Sequence, residues 1–356
     1  MKEDFVVMSS SYVAYTGSYT FHGNSKGIGI FDVDEEKGRL SLRKEIEVNN
    51  SSYLCTSPDQ KMLYSLVDEG IASFRIEPDG DLTPVNVASI KGMRGCHLSV
   101  DSLGQFIFTA GYHDGKTTIL RLNDDGSVGE ITDEVYDRGF GSIAERNFRP
   151  HVSCVRMTPD NKYLLAADLG IDQIKVFSLD RHDGKLRMID IIRCELESAP
   201  RSFGFSADGR HMYVVSELKN YITTFNYNGE GEHPIFEFKQ LVSTLPRKCN
   251  SVNAAYAMKL APDQSSLFCT NAGDNSVCFY ERDQETGLLY MRSVLPISGE
   301  YPKDLMIFPD GKHLCCLNQD SNTITYFTID YEKGVIVMDG LPTKLDNPNC
   351  GIFVKL

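Results

Sequence analysis

Short apolar stretches follow one another along the chain, broken by turn residues at regular intervals, and no segment holds a 3.6-residue hydrophobic period for long. The clearest phrase covers 257–295: AMKL, APDQSS, LFCTNA, GDN, SVCFYER, DQETG, LLYMRSVL. Related phrases start at Tyr53, His97, Ser153, Ser202 and Asp304, and their turn proline or its equivalent falls at 58, 102, 159, 207, 262 and 309. Spacings of 44 to 57 residues mark a repeat architecture. Alternation such as Thr323-Ile324-Thr325-Tyr326-Phe327, β-branched and aromatic enrichment and Asp-Gly turns predict strands, four to each repeat. Four-stranded antiparallel units of this length are propeller blades; a solenoid would need capping repeats that neither end resembles.

The residues before Tyr53 supply three further strands and the terminal CGIFVKL supplies one. The expectation is an all-β, seven-bladed propeller closed by strands from both ends, a single domain over residues 1–356 with about 51 residues per blade.

Composition narrows the function. With 49 Asp plus Glu against 36 Lys plus Arg, the net charge of −13 disfavours nucleic acid and anionic membrane as partners, so any anion site is a local exception. Ten cysteines without a CxxC, mostly in apolar stretches, read as reduced core thiols. The apolar piece 5–8 is too short for a signal-peptide core and nothing approaches a membrane span, which predicts a cytoplasmic protein. Walker, HExxH and Cys/His metal patterns are missing, so neither a metal nor an organic cofactor is expected. Gly139-Phe140-Gly141-Ser142-Ile143-Ala144 fits GxGxxA but lacks the strand-turn-helix setting that pattern needs. Asp168, Asp274 and Asp320 fall near strand ends, where Asp more often caps its own backbone than binds a cation.

In a blade, the start of the innermost strand and the end of the second strand lie at one mouth of the central channel. Six residues before each marker stand Ser52, Cys96, Ser153, Arg201, Tyr256 and Lys303; ten after stand Asp68, Tyr112, Leu169, Glu217, Ala272 and Gln319. Arg201 and Glu217 are symmetric about Gly209, which predicts an Arg–carboxylate pair across the hairpin, either structural or catalytic. His151 and Lys303, each beside a proline at an inner-strand start, converge on the same mouth. An Arg, a Lys and a His there make a cationic pocket suited to a small anion.

These residues resemble those of the propeller-type 6-phosphogluconolactonase family, the seven-bladed lactonases that include fungal carboxy-muconate cyclases. The resemblance is carried by YTGSYT (15–20), GCHLSVD (95–101), RPHVSCVRMTPDNKYLLAADLGIDQIKVF (149–177), APRSFGFSADGRHMYVVSEL (199–218) and YPKDLMIFPDGKHLCCLNQDSN (301–322). It implies a cleft lined by a His, an Arg and a Glu, here His151, Arg201 and Glu217, acting on a small anionic sugar lactone, with Lys303, His97, Ser153, Tyr256 and Gln319 as substrate-binding residues. The sequence departs from the family at Ser153 (a His in the family), Lys303 (an Arg) and Ala272 (often an Arg). Lys offers phosphate a point charge but not a bidentate fork. The implied reaction is water attack on a lactone, with Glu217 or neutral His151 as base, Arg201 at the oxyanion, and Lys303 with His151 on the phosphate. A tight Arg201 pair would weaken Glu217 and favour His151. A non-catalytic propeller binding an anion or a protein, and a muconate-type cyclase, are the rival readings.

Overall fold

In a computed structural model, which describes residues 12–356 except 143–145, 232, 247–248 and 250–251, each repeat is one four-stranded antiparallel sheet. The second blade runs Leu54–Thr56, Met62–Val67, Gly70–Ile76 and Leu82–Ala88, each strand pairing with the next. Five further blades repeat this order from His97, Val152, Pro200, Ala254 and Pro302, the last with a small addition at Thr343–Lys344. In the first blade Tyr12–Ser18, Gly27–Asp34 and Arg39–Glu47 are completed on the inside by Pro348–Lys355, which pairs antiparallel with Tyr12–Ser18. The inner strands touch in succession around a closed ring, so the expected seven-bladed closure by both ends is what the chain forms.

The sequence pattern follows from the layering. Second strands are covered on both faces by neighbouring blades, and Met62–Val67, Phe106–Gly111, Tyr163–Asp168, His211–Ser216 and Ser266–Ala272 are buried at every position. They therefore read as continuous apolar runs, whereas outer strands such as Lys185–Arg193 are half exposed. Seven apolar clusters fill the seven spaces between blades; Leu66, Ile71, Leu98, Ile107 and Leu120 make one of them. Each such side chain contributes about 1.5–3 kcal/mol when buried. Because this core lies between blades, the channel lining is free to be polar.

Two repeated devices aim that lining. Asp172, Asn220, Asn275 and Asn322 share a left-handed backbone of φ 55°, which Asn and Asp tolerate better than most residues. Their side-chain oxygens accept the N–H of Ala199 (2.8 Å), Ala255 (3.0 Å), Tyr301 (2.9 Å) and Asn347 (2.8 Å), so each of these four blades pegs the entry of the next inner strand. Ala199 and Tyr301 are themselves left-handed, at φ 54° and 56°, directly before Pro200 and Pro302, a strained geometry that the pegs hold in place. Just beyond, the pairing register slips, leaving bulges at Ser153, Arg201, Tyr256-Ala257, Lys303 and Asn349. A bulge re-aims its side chain out of the regular pleat. Four of these are members of the polar column in the sequence; Asn349 is the equivalent residue of the closing blade, which has no marker turn to reveal it.

None of the ten cysteines is disulfide-bonded, and six are buried. Of the GxGxxA match, residues 139–142 form an irregular connection between the third and fourth blades, and Ile143 and Ala144 lie outside the described residues. Among the described residues no helix is long and apolar enough to cross a membrane.

Candidate functional site

The inner strands enclose a cavity of about 500 Å³, and the bulged ring Ser153, Arg201, Tyr256, Lys303 and Asn349, with Ser52 and Cys96, lines it. Pro200 pairs with Ser216 and the Glu217 N–H donates to Ala199 O, which sets the bulged Arg201 beside Glu217 as the hairpin symmetry predicts. Arg201 Nη1 donates to Glu217 Oε2, and Arg146 Nη1 donates to Glu217 Oε1 at 2.9 Å. Only 1% of the Glu217 side chain is exposed. Burial alone would raise its pKa, but the two guanidinium groups, Arg201 foremost, outweigh that and hold the carboxyl below its usual range. With both oxygens engaged, Glu217 is an anchor for Arg201 and a poor base. The Arg201 guanidinium also lies 3.3 Å over the Tyr256 ring, so it is fixed in plane by one face and one edge.

Lys303 projects its ammonium among three rings, 5.0 Å from Tyr256, 5.6 Å from Tyr301 and 5.8 Å from Tyr19. Burial first, then the charge of Arg201, lowers its pKa. Among the described residues no carboxylate pairs with it, so it is a cation held by aromatic faces and available to an anion.

His151 sits differently. Its Nδ1–H donates to Tyr112 O at 2.7 Å and its ring stacks on Tyr112 at 4.3 Å, leaving Nε2 as the lone-pair nitrogen. Burial lowers its pKa, which keeps the ring neutral. It does not line the cavity; it packs on Tyr112, whose phenol feels the charges of Glu217, Arg146 and Arg201. The structure thus joins Arg201, Glu217, Tyr256 and Lys303 and sets His151 one aromatic ring away.

The other expected residues divide as well. His97 lines the cavity, its ring tilted against Tyr53 at 4.4 Å, with Val155 N–H donating to Nδ1; burial holds its pKa well below the usual value, so it is neutral. Ser153 also lines the cavity, but its hydroxyl donates to Arg201 O at 2.7 Å and so steadies the bulge next door. Gln319 is half-buried outside the cavity, its N–H donating to Tyr301 O at 3.0 Å. Ala272 is buried and brings no cation. Tyr19 and Asn349 complete the lining, and Arg146 and Tyr301 support it through Glu217 and Lys303, without having been singled out in the sequence. Arg146 lies in an inter-blade connection where no repeat column exists to mark it.

That connection is anchored by acids. Asp168 Oδ1 accepts the N–H of His151 at 2.7 Å and of Gly170 at 2.9 Å, as an Asp capping its own turn would. Among the described residues Asp168 Oδ2 has no N–H or O–H donor, and it faces Asp137, which is 2.7 Å from Lys175 Nζ. A proton shared between the two carboxyls satisfies the orphaned oxygen. Burial first, then Asp137, raises the Asp168 pKa to about 8. The folded state therefore holds this proton where the unfolded chain, with a pKa of 3.8, has released it, so stability from this group falls as pH rises from about 4 to about 8. Asp168→Asn keeps the accepting oxygen and supplies a permanent donor. Its melting temperature, measured against wild type from pH 5 to 9, is expected to gain on wild type through that window and run parallel above it; a constant difference would refute the shared proton.

A family model described as lactonase, 7-bladed beta-propeller, matches residues 13–353. The 6-phosphogluconolactonase of Bacillus subtilis (strain 168) is 31% identical over 303 residues, 83% of this chain and 85% of that one. A crystal structure of a protein from Bacteroides fragilis NCTC 9343 superposes with a TM-score of 0.89 at 29% identity, covering 98% of this chain and 99% of that chain. The periplasmic gluconolactonase of Pseudomonas aeruginosa, with a TM-score of 0.90 at 24% identity over 96% and 99% of the two chains, shares the fold. With its blades, its closure and this match over nearly its whole length, the chain belongs to the lactonase, seven-bladed β-propeller family.

Proposed function

We propose that the protein hydrolyses a sugar lactone, with 6-phosphogluconolactone as substrate and 6-phosphogluconate as product. The observation that carries this reading is Arg201, fixed by Glu217 and Tyr256 beside the carboxylate-free Lys303, in a channel mouth that stays cationic within a protein of net charge −13. A developing oxyanion gains most from donors that are already oriented. The kinship with the Bacillus subtilis 6-phosphogluconolactonase supports the same class of substrate.

In this scheme a water molecule attacks the ring carbonyl carbon, Arg201 N–H groups receive the charge on the carbonyl oxygen, and the ring C–O bond then breaks with a proton returned to the ring oxygen. Neutral His151, which lies outside the cavity against Tyr112, takes the proton from the attacking water at Nε2 through a second, relaying water, and Glu217 with Arg146 positions Arg201. Lys303, Tyr256 and Asn349, whose buried Nδ2 has no acceptor among the described residues, hold the sugar at the mouth. The scheme uses neither a metal nor an organic cofactor, and a sugar phosphate fits the cytoplasmic location expected from the sequence.

A panel of 6-phosphogluconolactone, unphosphorylated gluconolactone and a muconate-type dicarboxylate, each assayed against its spontaneous reaction, tests the reading. The phosphorylated lactone is expected to have the highest kcat/KM. Binding of the anions without turnover of any would identify a binding propeller instead, and preferred turnover of the dicarboxylate would identify a cyclase.

A further inference from the structure

Three residues below the bulged ring, three adjacent blades present Arg156, Gly204 and Lys259 at one register, opposite Leu165, Tyr213 and Phe268 of their second strands. All three line the same cavity as Arg201 and Lys303. A side chain on Gly204 would meet only Met258 Cε, at 3.4 Å, so the position between the two cations is an open notch. Arg156 is exposed and lines the channel cavity, and among the described residues its side chain has no hydrogen bond or ion pair. Lys259 Nζ lies 3.4 Å from Asp304, but that carboxylate is also bound by the N–H groups of Leu305 and Gly351, at 2.9 and 3.1 Å. His97, the imidazole in the same lining, is neutral, so Arg156 and Lys259 against the single charge of Asp304 leave the notch net positive.

We propose that Arg156 and Lys259, across the gap left by Gly204, form a second anion subsite inside the channel that receives the phosphate monoester of the substrate while its lactone carbonyl is at Arg201. This rests on the lactonase reading above and moves the phosphate from the expected Lys303 and His151 pair, because His151 is turned against Tyr112 outside the cavity. Three strand residues separate the two levels by about 10 Å, a span that long Arg and Lys side chains shorten to that of a six-carbon acid with a terminal phosphate. Arg156 offers the fork that suits phosphate oxygens, and Lys259 adds a point charge.

The test compares wild type with Arg156→Met, Lys259→Met and Gly204→Glu, the last placing a carboxylate in the notch, on phosphorylated and unphosphorylated gluconolactone, together with calorimetric binding of inorganic phosphate. The expected result is a fall of about 10- to 100-fold in kcat/KM for the phosphorylated lactone in each variant, carried by KM, with the unphosphorylated lactone unchanged and phosphate affinity reduced in parallel. Equal losses on both lactones, or unchanged phosphate affinity, would overturn the subsite. If wild type hydrolyses neither lactone, the catalytic reading falls, and phosphate titration alone decides the subsite: affinity lost in Arg156→Met upholds it, affinity retained refutes it.

Discussion

Replacing Arg201 by methionine is expected to lower kcat for lactone hydrolysis by about 10²- to 10³-fold, with a smaller change in KM, because one preorganised oxyanion donor is removed and little else. The physical reason is the anchoring. Glu217 holds the guanidinium edge and Tyr256 its face, so in the proposed scheme Arg201 would meet the developing charge without reorganising. The variant should fold, since Glu217 keeps Arg146 as its partner and methionine can still cover Tyr256. Arg201→Lys retains a charge but neither the planar fork nor the ring stacking, and should recover only part of the loss. Steady-state kinetics on the three proteins read this directly; a change confined to KM would assign Arg201 to ground-state binding.

The second large effect is expected at His151. Its replacement by alanine should cost about 10²- to 10⁴-fold in kcat, the usual worth of a general base. The pH profile distinguishes this from a packing role. Burial lowers the His151 pKa beneath 6.5, so the wild-type kcat/KM should be flat through neutrality and fall only as acid protonates Nε2. In His151→Ala that acid limb should vanish from the residual rate. An unchanged limb in the variant would return the role of base to another group, and an unchanged rate would remove His151 from the mechanism, leaving its contact with Tyr112 as its purpose.

What the sequence disclosed and what it hid have the same origin. Blade number and closure were legible because each second strand is sandwiched, so turn and apolar run recur together, and the pairing of Arg201 with Glu217 followed from their symmetry about Gly209. A column of equivalent positions reports backbone register, which is why Arg201, Tyr256, Lys303 and Ser153 all reach the mouth. It does not report where a side chain turns. His151 is at an inner-strand start, yet its ring is claimed by Tyr112 O and the Tyr112 face, and Gln319 points outside the cavity lining. Arg146 lies in a connection outside the repeat, and Asn349 in a blade without the marker turn, so no column contained them. The lower cations, Arg156 and Lys259, were in plain view in the repeats but lie one bulge and three residues from the marked column; only the slipped register brings them into the same cavity.

The most direct test of the central claim is the rate of acid release from 6-phosphogluconolactone by purified wild type and by Arg201→Met, each corrected for spontaneous hydrolysis at the same pH. Enzyme-dependent hydrolysis is expected in wild type, proportional to protein concentration, with its near abolition in the folded variant. A wild-type rate equal to the spontaneous rate, or an Arg201→Met rate equal to wild type, would contradict that claim.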